Sequence, residues 1–222
     1  MDSRLHYAPL SNPKNILDIG TGTGIWAIEM GDQYPEAQIE ATDLSPIQPS
    51  LVPENVHFLI DDAEQEDWGV PADHYDFVHT RFLLGCFTDF KQVIAHAYRN
   101  VKPGGWMESQ EAHSMPSCDD GTMPDDWPVL EWHRRLDQAS MSPDLNRPLR
   151  IAGRSKNWYI EAGFVDVQEV ILKLPLNSWP KDPKLKTLGR WWGENMLMGM
   201  QGFSMAFFSR MLGWSREEIE VR

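Results

Sequence analysis

Three glycines at alternate positions, Gly20, Gly22 and Gly24, follow directly on the apolar run Ile16-Leu17-Asp18-Ile19 and lead into Ile25-Trp26-Ala27. A buried strand that turns into a helix through residues without β-carbons lets a ligand lie against bare backbone. A plain strand-to-helix turn needs only one such residue. Asp43, which closes Gln38-Ile39-Glu40-Ala41-Thr42-Asp43, comes 23 positions after Gly20. That is about the interval at which the next strand brings an acid to the ribose of a bound adenosine. A carboxylate accepting both ribose hydroxyls would make two charge-assisted bonds, on the order of 1.5–3 kcal/mol each. The chemistry these residues indicate is adenosine binding.

The elements that must position them alternate. From Asn15 to about Gln110, short β-rich apolar runs at Asn15–Ile19, Gln38–Thr42, Val56–Ile60, Tyr75–His79 and Gly105–Ser109 are separated by helical stretches at Gly24–Gln33 and Asp89–Val101. This is the pattern of stacked βαβ units: an α/β fold with a mostly parallel, doubly wound sheet and helices on both faces. Lys102-Pro103-Gly104-Gly105 closes the second helix, because proline cannot continue it and glycine accepts the left-handed turn. Ser45-Pro46-Ile47-Gln48-Pro49 shortens or removes the crossover helix between the second and third strands. Beyond Gln110 a loop over residues 112–128 is expected, then helices at Pro128–Met141 and Leu149–Ala162, a strand at Val165–Leu174, and a helical stretch at Lys184–Leu212. Eight of the ten tryptophans lie after residue 100, suggesting a second, more apolar layer over the sheet's ligand edge. We read 1–222 as a single domain, with a cofactor-binding core at 12–111 and a largely helical acceptor or lid region at 112–222.

Composition narrows the function. The chain has 222 residues, 20 Lys and Arg against 33 Asp and Glu, and a net charge of -13. Residues 1–120 hold six basic and twenty acidic side chains, and such a surface would repel a phosphate backbone, so nucleic acid is not an expected ligand. Cys86 and Cys118 form neither a disulfide framework nor a C-x-x-C pair, which points to a reducing compartment, the cytoplasm or the nucleus. No apolar run has signal-peptide or membrane-span length. The seven histidines are scattered, so no metal site is expected.

Two cofactor types fit the loop. Gly22-Thr23-Gly24-Ile25-Trp26-Ala27 satisfies the G-x-G-x-x-G/A fingerprint of nicotinamide and flavin dinucleotides. Its first glycine, however, is the second of the loop. The three-glycine form D-x-G-x-G-x-G instead resembles motif I of class I S-adenosylmethionine-dependent methyltransferases, whose ligand has no pyrophosphate and carries a sulfonium cation. Asp18, Asp43, Asp61 and Asp62 all fall at carboxyl ends of strands, where ligands of open α/β sheets bind. Together GTGTGIWA (20–27), DLSPIQP (43–49), DDAE (61–64), KPGGW (102–106) and GFVDV (163–167) resemble the fungal LaeA-like branch of that family over about residues 8–215. The resemblance implies a Rossmann-like fold and S-adenosylmethionine as cofactor. It implies a binding set of Asp18, Gly20, Thr21, Gly22, Gly24, Trp26, Asp43, Leu44, Asp61, Asp62, Ala63 and His79. Within that set Asp43 serves the ribose, Asp62 with Ala63 the adenine, and Asp18 with Gly20 the methionine end. Members of the branch are linked to secondary metabolism, as small-molecule methyltransferases or as regulators.

Both ends depart from the family pattern. Only 14 residues precede the first strand, so the covering N-terminal helices are expected to be missing or reduced to Tyr7-Ala8-Pro9-Leu10. Ser215-Arg216-Glu217-Glu218 is a capping box that opens a helix, yet the chain stops at Arg222, and the sheet's final strand, which would follow that helix, is expected to be missing. Methyl transfer needs positioning more than a dedicated catalytic group. For a hydroxyl or carboxylate acceptor, His79, Arg81 and His113, with Glu111, follow the fourth and fifth strands at the proper edge. The expected activity is methyl transfer to a small-molecule acceptor. The alternative is a non-catalytic regulator or scaffold acting through protein partners, or a homodimer, joined through the apolar C-terminal helices around Trp191-Trp192 and Met196, Met198, Met200 and Met205.

Overall fold

In the computed structural model, residues 4–209, 211 and 213–221 are described. Five strands, β1 (Asn15–Ile19), β2 (Gln38–Asp43), β3 (Val56–Ile60), β4 (Tyr75–Arg81) and β5 (Val101–Gln110), form one sheet in the order β3-β2-β1-β4-β5. Every neighbouring pair is parallel. The helices are α1 (Ile25–Gln33), α2 (Phe90–Asn100), α3 (Pro128–Ser140), α4 (Ala152–Ala162), α5 (Pro183–Ser204) and α6 (Arg216–Val221). Because strand side chains alternate between faces, Ile16, Ile39, Val56 and Phe77 meet Trp26, Ala27 and Met30 of α1 on one side. Leu17, Ile19 and Val78 meet Phe90, Val93, Ile94 and Ala97 of α2, with Tyr159 of α4, on the other. The sheet is doubly wound and Rossmann-like. No helix joins β2 to β3, in keeping with Pro46, Pro49 and Pro53 in that connection.

The chain forms two compact units, Met1–His113 with Arg150–Gln168 and Ser114–Leu149 with Glu169–Arg222. The sheet-bearing unit therefore includes α4. In the other unit, Trp132 of α3 donates its indole N–H to Ser204 Oγ of α5 at 2.8 Å. A π-helical turn follows at Met205–Ser209. Arg135 lies over the Trp214 ring, 5.0 Å from its centroid. Ser215 and Glu218 exchange the two bonds of a capping box at the start of α6.

Three expectations change. Val165–Leu174 forms no strand, and Val165 and Ile171 are 82% and 80% exposed. Alternation permits a strand, but only a neighbouring strand's hydrogen bonds create one, and this sheet ends at β5 among the described residues. The fifth strand starts at Val101, which pairs with Tyr75, rather than at Gly105. The ladder is irregular between there and the Phe77–Trp106 pair, so Lys102–Gly105 bulges within the strand instead of capping the helix. The helix expected from Leu149 begins at Ala152. Leu212, the expected end of the Lys184 helix, lies outside the described residues.

Two supports hold the sheet's carboxyl edge. On the amino-terminal side, Leu5 O accepts from Trp26 Nε1 at 2.9 Å and Gln110 Nε2 at 3.1 Å. Glu108 accepts from the backbone N–H groups of Tyr7 and Ala8 at 2.7 and 2.8 Å. Behind the glycine turn, Leu83 packs against Gly20, where a β-carbon would strike it. Glu111 fixes Leu83 by accepting its N–H at 2.9 Å, and it also accepts from Leu84. Burial raises the Glu111 carboxyl to about 7, against the lowering effect of these two bonds.

Glu111 should therefore make stability fall as pH rises. Its contribution is complete below about 4.5, where both states are protonated, and is lost progressively up to about pH 7. Glu111→Gln keeps an acceptor for Leu83 and should flatten the urea-unfolding free energy between pH 5 and 7.5. Gly24 provides a second check. It sits at φ +80 under the Phe58 ring, whereas Gly22 at φ +59 has open space where its β-carbon would be. Gly24→Ala should cost about 2–5 kcal/mol, combining left-handed strain and overpacking. Gly22→Ala should cost only the strain, about 1–2 kcal/mol in the same assay.

Candidate functional site

β1 has β2 on one side and β4 on the other, so consecutive connections leave it in opposite directions. Open α/β sheets bind ligands in the crevice at such a point, outside the carboxyl ends of the strands. A cavity of about 250 Å³ lies there, lined by Asp18, Gly20, Thr21, Gly22, Thr23, Ile25, Trp26, His79, Arg81 and Phe82. Asp18, Gly20, Thr21, Gly22, Trp26, His79 and Arg81 are expected site residues, whereas Thr23, Ile25 and Phe82 are additions. Thr23 and Ile25 lie inside the glycine motif and follow from it. Phe82 carries no such signal, since it reaches the cavity through a left-handed backbone at φ +62, rare for a bulky side chain.

The deepest wall is a buried dyad. Parallel register sets Asp18 opposite His79, and Asp18 Oδ1 lies 2.8 Å from His79 Nδ1 with the two residues 3% and 0% exposed. Trp26 stacks on the imidazole, with centroids 3.7 Å apart and planes 6° apart. The carboxylate can only accept, so Nδ1 donates to it. His79 Nε2 is buried without a hydrogen-bond partner, and so is Thr21 Oγ1. Arg81, exposed two residues further along β4, forms no ion pair among the described residues.

The glycine turn is tied to β2. Gly22 N donates to Asp43 Oδ2 at 2.8 Å, Ser45 N to Asp43 Oδ1 at 3.0 Å, and Gln48 Nε2 to Gly22 O at 2.7 Å. Each oxygen of Asp43 thus gives one lone pair to the backbone and keeps one. Asp43 does not line the cavity but flanks it through Gly22. Leu44 is 62% exposed beyond it.

After β3, Asp61 Oδ1 accepts from Asp62 N at 2.8 Å and Asp62 Oδ1 from Glu64 N at 3.0 Å, which shapes the turn that carries Ala63. Asp61 and Ala63 border a separate space of about 20 Å³ beside Glu40 and Tyr75. There Tyr75 donates to Glu40 Oε2 at 2.6 Å. Burial first and then the Glu40 carboxylate push this phenol far above its ordinary range. His113 is exposed and lies outside both cavities.

The sequence profile of the methyltransferase domain family matches residues 1–168. The methyltransferase pytC of Aspergillus terreus is 42% identical over the whole chain, which spans 68% of that protein. The secondary metabolism regulator LAE1 of Cochliobolus heterostrophus is 34% identical over 95% of the chain and 70% of its own length. Among solved structures, a Haemonchus contortus phosphoethanolamine N-methyltransferase in complex with S-adenosylmethionine superposes with a TM-score of 0.56. It is 19% identical over 92% of this chain, which covers 43% of that longer one, and shows that the fold is shared. The chain belongs to the methyltransferase domain family.

Proposed function

We propose that the chain binds S-adenosylmethionine along the carboxyl ends of β3, β2, β1 and β4 and transfers its methyl group to a small-molecule acceptor of fungal secondary metabolism. The observation that carries this reading is the bare backbone at Gly22, with open space above it. It lies between a carboxylate with unused lone pairs, Asp43, and a cavity lined by the buried Asp18–His79 pair. The residues fit the cofactor. Asp43 can accept both ribose hydroxyls without giving up its backbone bonds, and the Asp61–Ala63 turn lies on the adenine side. A cavity of about 250 Å³ remains for the amino-acid end.

The bound cofactor supplies a methyl group on a sulfonium that is already a good leaving group. The chain has to hold both reactants in line and keep water out, and such orientation reaches effective molarities of about 10⁵–10⁸ M. His79 and Arg81 are the titratable groups of β4 that face the cavity. His113 stands apart from it and receives no role. The names of pytC and LAE1 place relatives in methyl transfer and in the control of secondary metabolism. Neither Cys86 nor Cys118 is in a disulfide, as a reducing compartment, the cytoplasm or the nucleus, would have it.

A second reading, a regulator that works through protein partners, draws on the exposed apolar residues of α5. Trp191, Leu197 and Met198 are 71%, 67% and 83% exposed. Methylated product from an extract incubated with labelled S-adenosylmethionine would decide for the enzyme.

Asp43→Ala should weaken S-adenosylmethionine binding by roughly ten- to a hundredfold in calorimetry, the loss of two charge-assisted bonds net of partial replacement by water. Absence of both heat and thermal shift for the unaltered protein at millimolar cofactor would end the reading.

A further inference from the structure

The cavity at the sheet's carboxyl edge changes character toward its mouth. Its deep wall is the buried Asp18–His79 pair, whereas Arg81 and Phe82 are exposed. β1 ends at Ile19, whose partner on β4 is Thr80. Beyond that point β4 has only β5 beside it: Arg81 pairs with Gln110, and Phe82 N donates to Gln110 O at 3.1 Å. Asp43, on β2, lies on the far side of β1. Arg81 and Phe82 therefore stand at the opposite end of the site from the proposed ribose acid.

Residues 1–120 hold six basic side chains, and five of them are engaged. Lys14, Lys91, Arg99 and Lys102 pair with Glu36, Glu161, Glu66 and Asp76 at 2.8, 2.6, 3.2 and 2.9 Å, and Arg4 lies over the Tyr7 ring. Arg81 has no ion pair, hydrogen bond or ring contact among the described residues, although twenty acids share its half of the chain. A planar donor fork kept open in so acidic a surface suits a carboxylate, which it binds through two parallel N–H bonds.

Phe82 supplies a second, independent observation. Its backbone is left-handed at φ +62, an outlier for a bulky side chain, and the residue is 48% exposed. Such strain persists only where the surroundings fix it, and it gathers at ligand-binding positions. Gln110 O holds Phe82 N, and Glu111 holds the next two N–H groups. Burial does not offset the strain, which instead places an aromatic ring at the cavity mouth. Ile25, 58% exposed, adds a second apolar surface to the same cavity.

Resting on the proposed methyl-transfer reading, we infer that Arg81 and Phe82 are the recognition point for the methyl acceptor, and that this acceptor carries a carboxylate on a flat apolar body. The carboxylate takes the guanidinium fork and the body lies on Phe82. With its lone pairs so engaged, the carboxylate is a handle, and the methylated atom lies elsewhere on the acceptor. An anion is also favoured by charge beside a cationic cofactor. A carboxylate on the cofactor itself is the rival occupant of the guanidinium, and the test separates the two.

The test uses 2-naphthoate and its neutral isostere 2-naphthamide, titrated with and without saturating S-adenosylhomocysteine into the unaltered chain, Arg81→Met and Phe82→Gly. The unaltered chain should prefer the acid by at least about tenfold. Arg81→Met, a change at an exposed position, should bring acid and amide within about twofold of each other. Both variants should bind S-adenosylhomocysteine within about twofold of the unaltered chain. Phe82→Gly accepts the left-handed backbone, so it should keep or raise the urea midpoint while lowering 2-naphthoate affinity by about tenfold.

Equal affinity for acid and amide in the unaltered chain would overturn the inference. So would a matching loss of S-adenosylhomocysteine affinity in Arg81→Met, which would give the guanidinium to the cofactor. A Phe82→Gly chain that is less stable yet binds 2-naphthoate normally would make the ring structural and sink its role in recognition. If the unaltered chain prefers the acid but gives no heat with S-adenosylhomocysteine, the cofactor reading fails and the anion handle stands.

Discussion

The contact between Asp18 and His79 ties the middle of the sheet to its function. It joins the two strands on either side of the point where the winding reverses, and it does so where solvent is excluded. Removing an ion or dipole from water is costly unless its partner is well placed, and breaking such a pair from one side is worse than never burying it. The register between β1 and β4 is therefore constrained twice, by the backbone ladder and by these side chains. Trp26 completes the arrangement. Its ring covers the imidazole, and its indole N–H is anchored outside the sheet on Leu5 O. A histidine so enclosed keeps its orientation whether or not a ligand is present.

Around this fixed centre the site is made mostly of backbone. The glycine turn has little side chain to contribute, and its shape is set by Thr21 N bonding Thr42 O at 2.9 Å, by Asp43 from β2 and by Gln48 from the following loop. The absence of a crossover helix after β2 gives Gln48 its reach. A helix there would bring its own hydrogen-bond ladder, whereas Ser45–Pro49 folds back with a side chain free to hold Gly22 O. Preorganisation of this kind lowers the ordering cost of binding.

Much of this was open to reading in the primary structure. Short apolar runs, Ile16-Leu17 in β1 and Phe77-Val78 in β4, announce buried strands, and the glycine spacing with Asp43 at its interval announces an adenosine site. The roles of individual acids were less visible. Asp18 and Asp43 look alike in the motif, but one is spent on a histidine 61 positions away, a pairing that only the order of the strands creates. Glu111 is similar, since its hold on Leu83 depends on where β5 ends relative to β4. The alternation of Val165–Leu174 misled because the pattern describes a face and not a partner. Lys102–Gly105 misled because a helix end and a bulge use the same glycines: Gly104 at φ +82 and Gly105 crowded by Val101 serve the bulge.

Leu5 contributes only its carbonyl oxygen, but that oxygen collects Trp26 from α1 and Gln110 from β5. The indole it holds is the same one that covers His79. From the fifth residue to the imidazole the path is therefore short, one hydrogen bond to the indole and one stacked pair. The amino-terminal stretch acts as a tensioned guy-line on the histidine, and the quality of the pocket is set partly by residues that never touch what it contains.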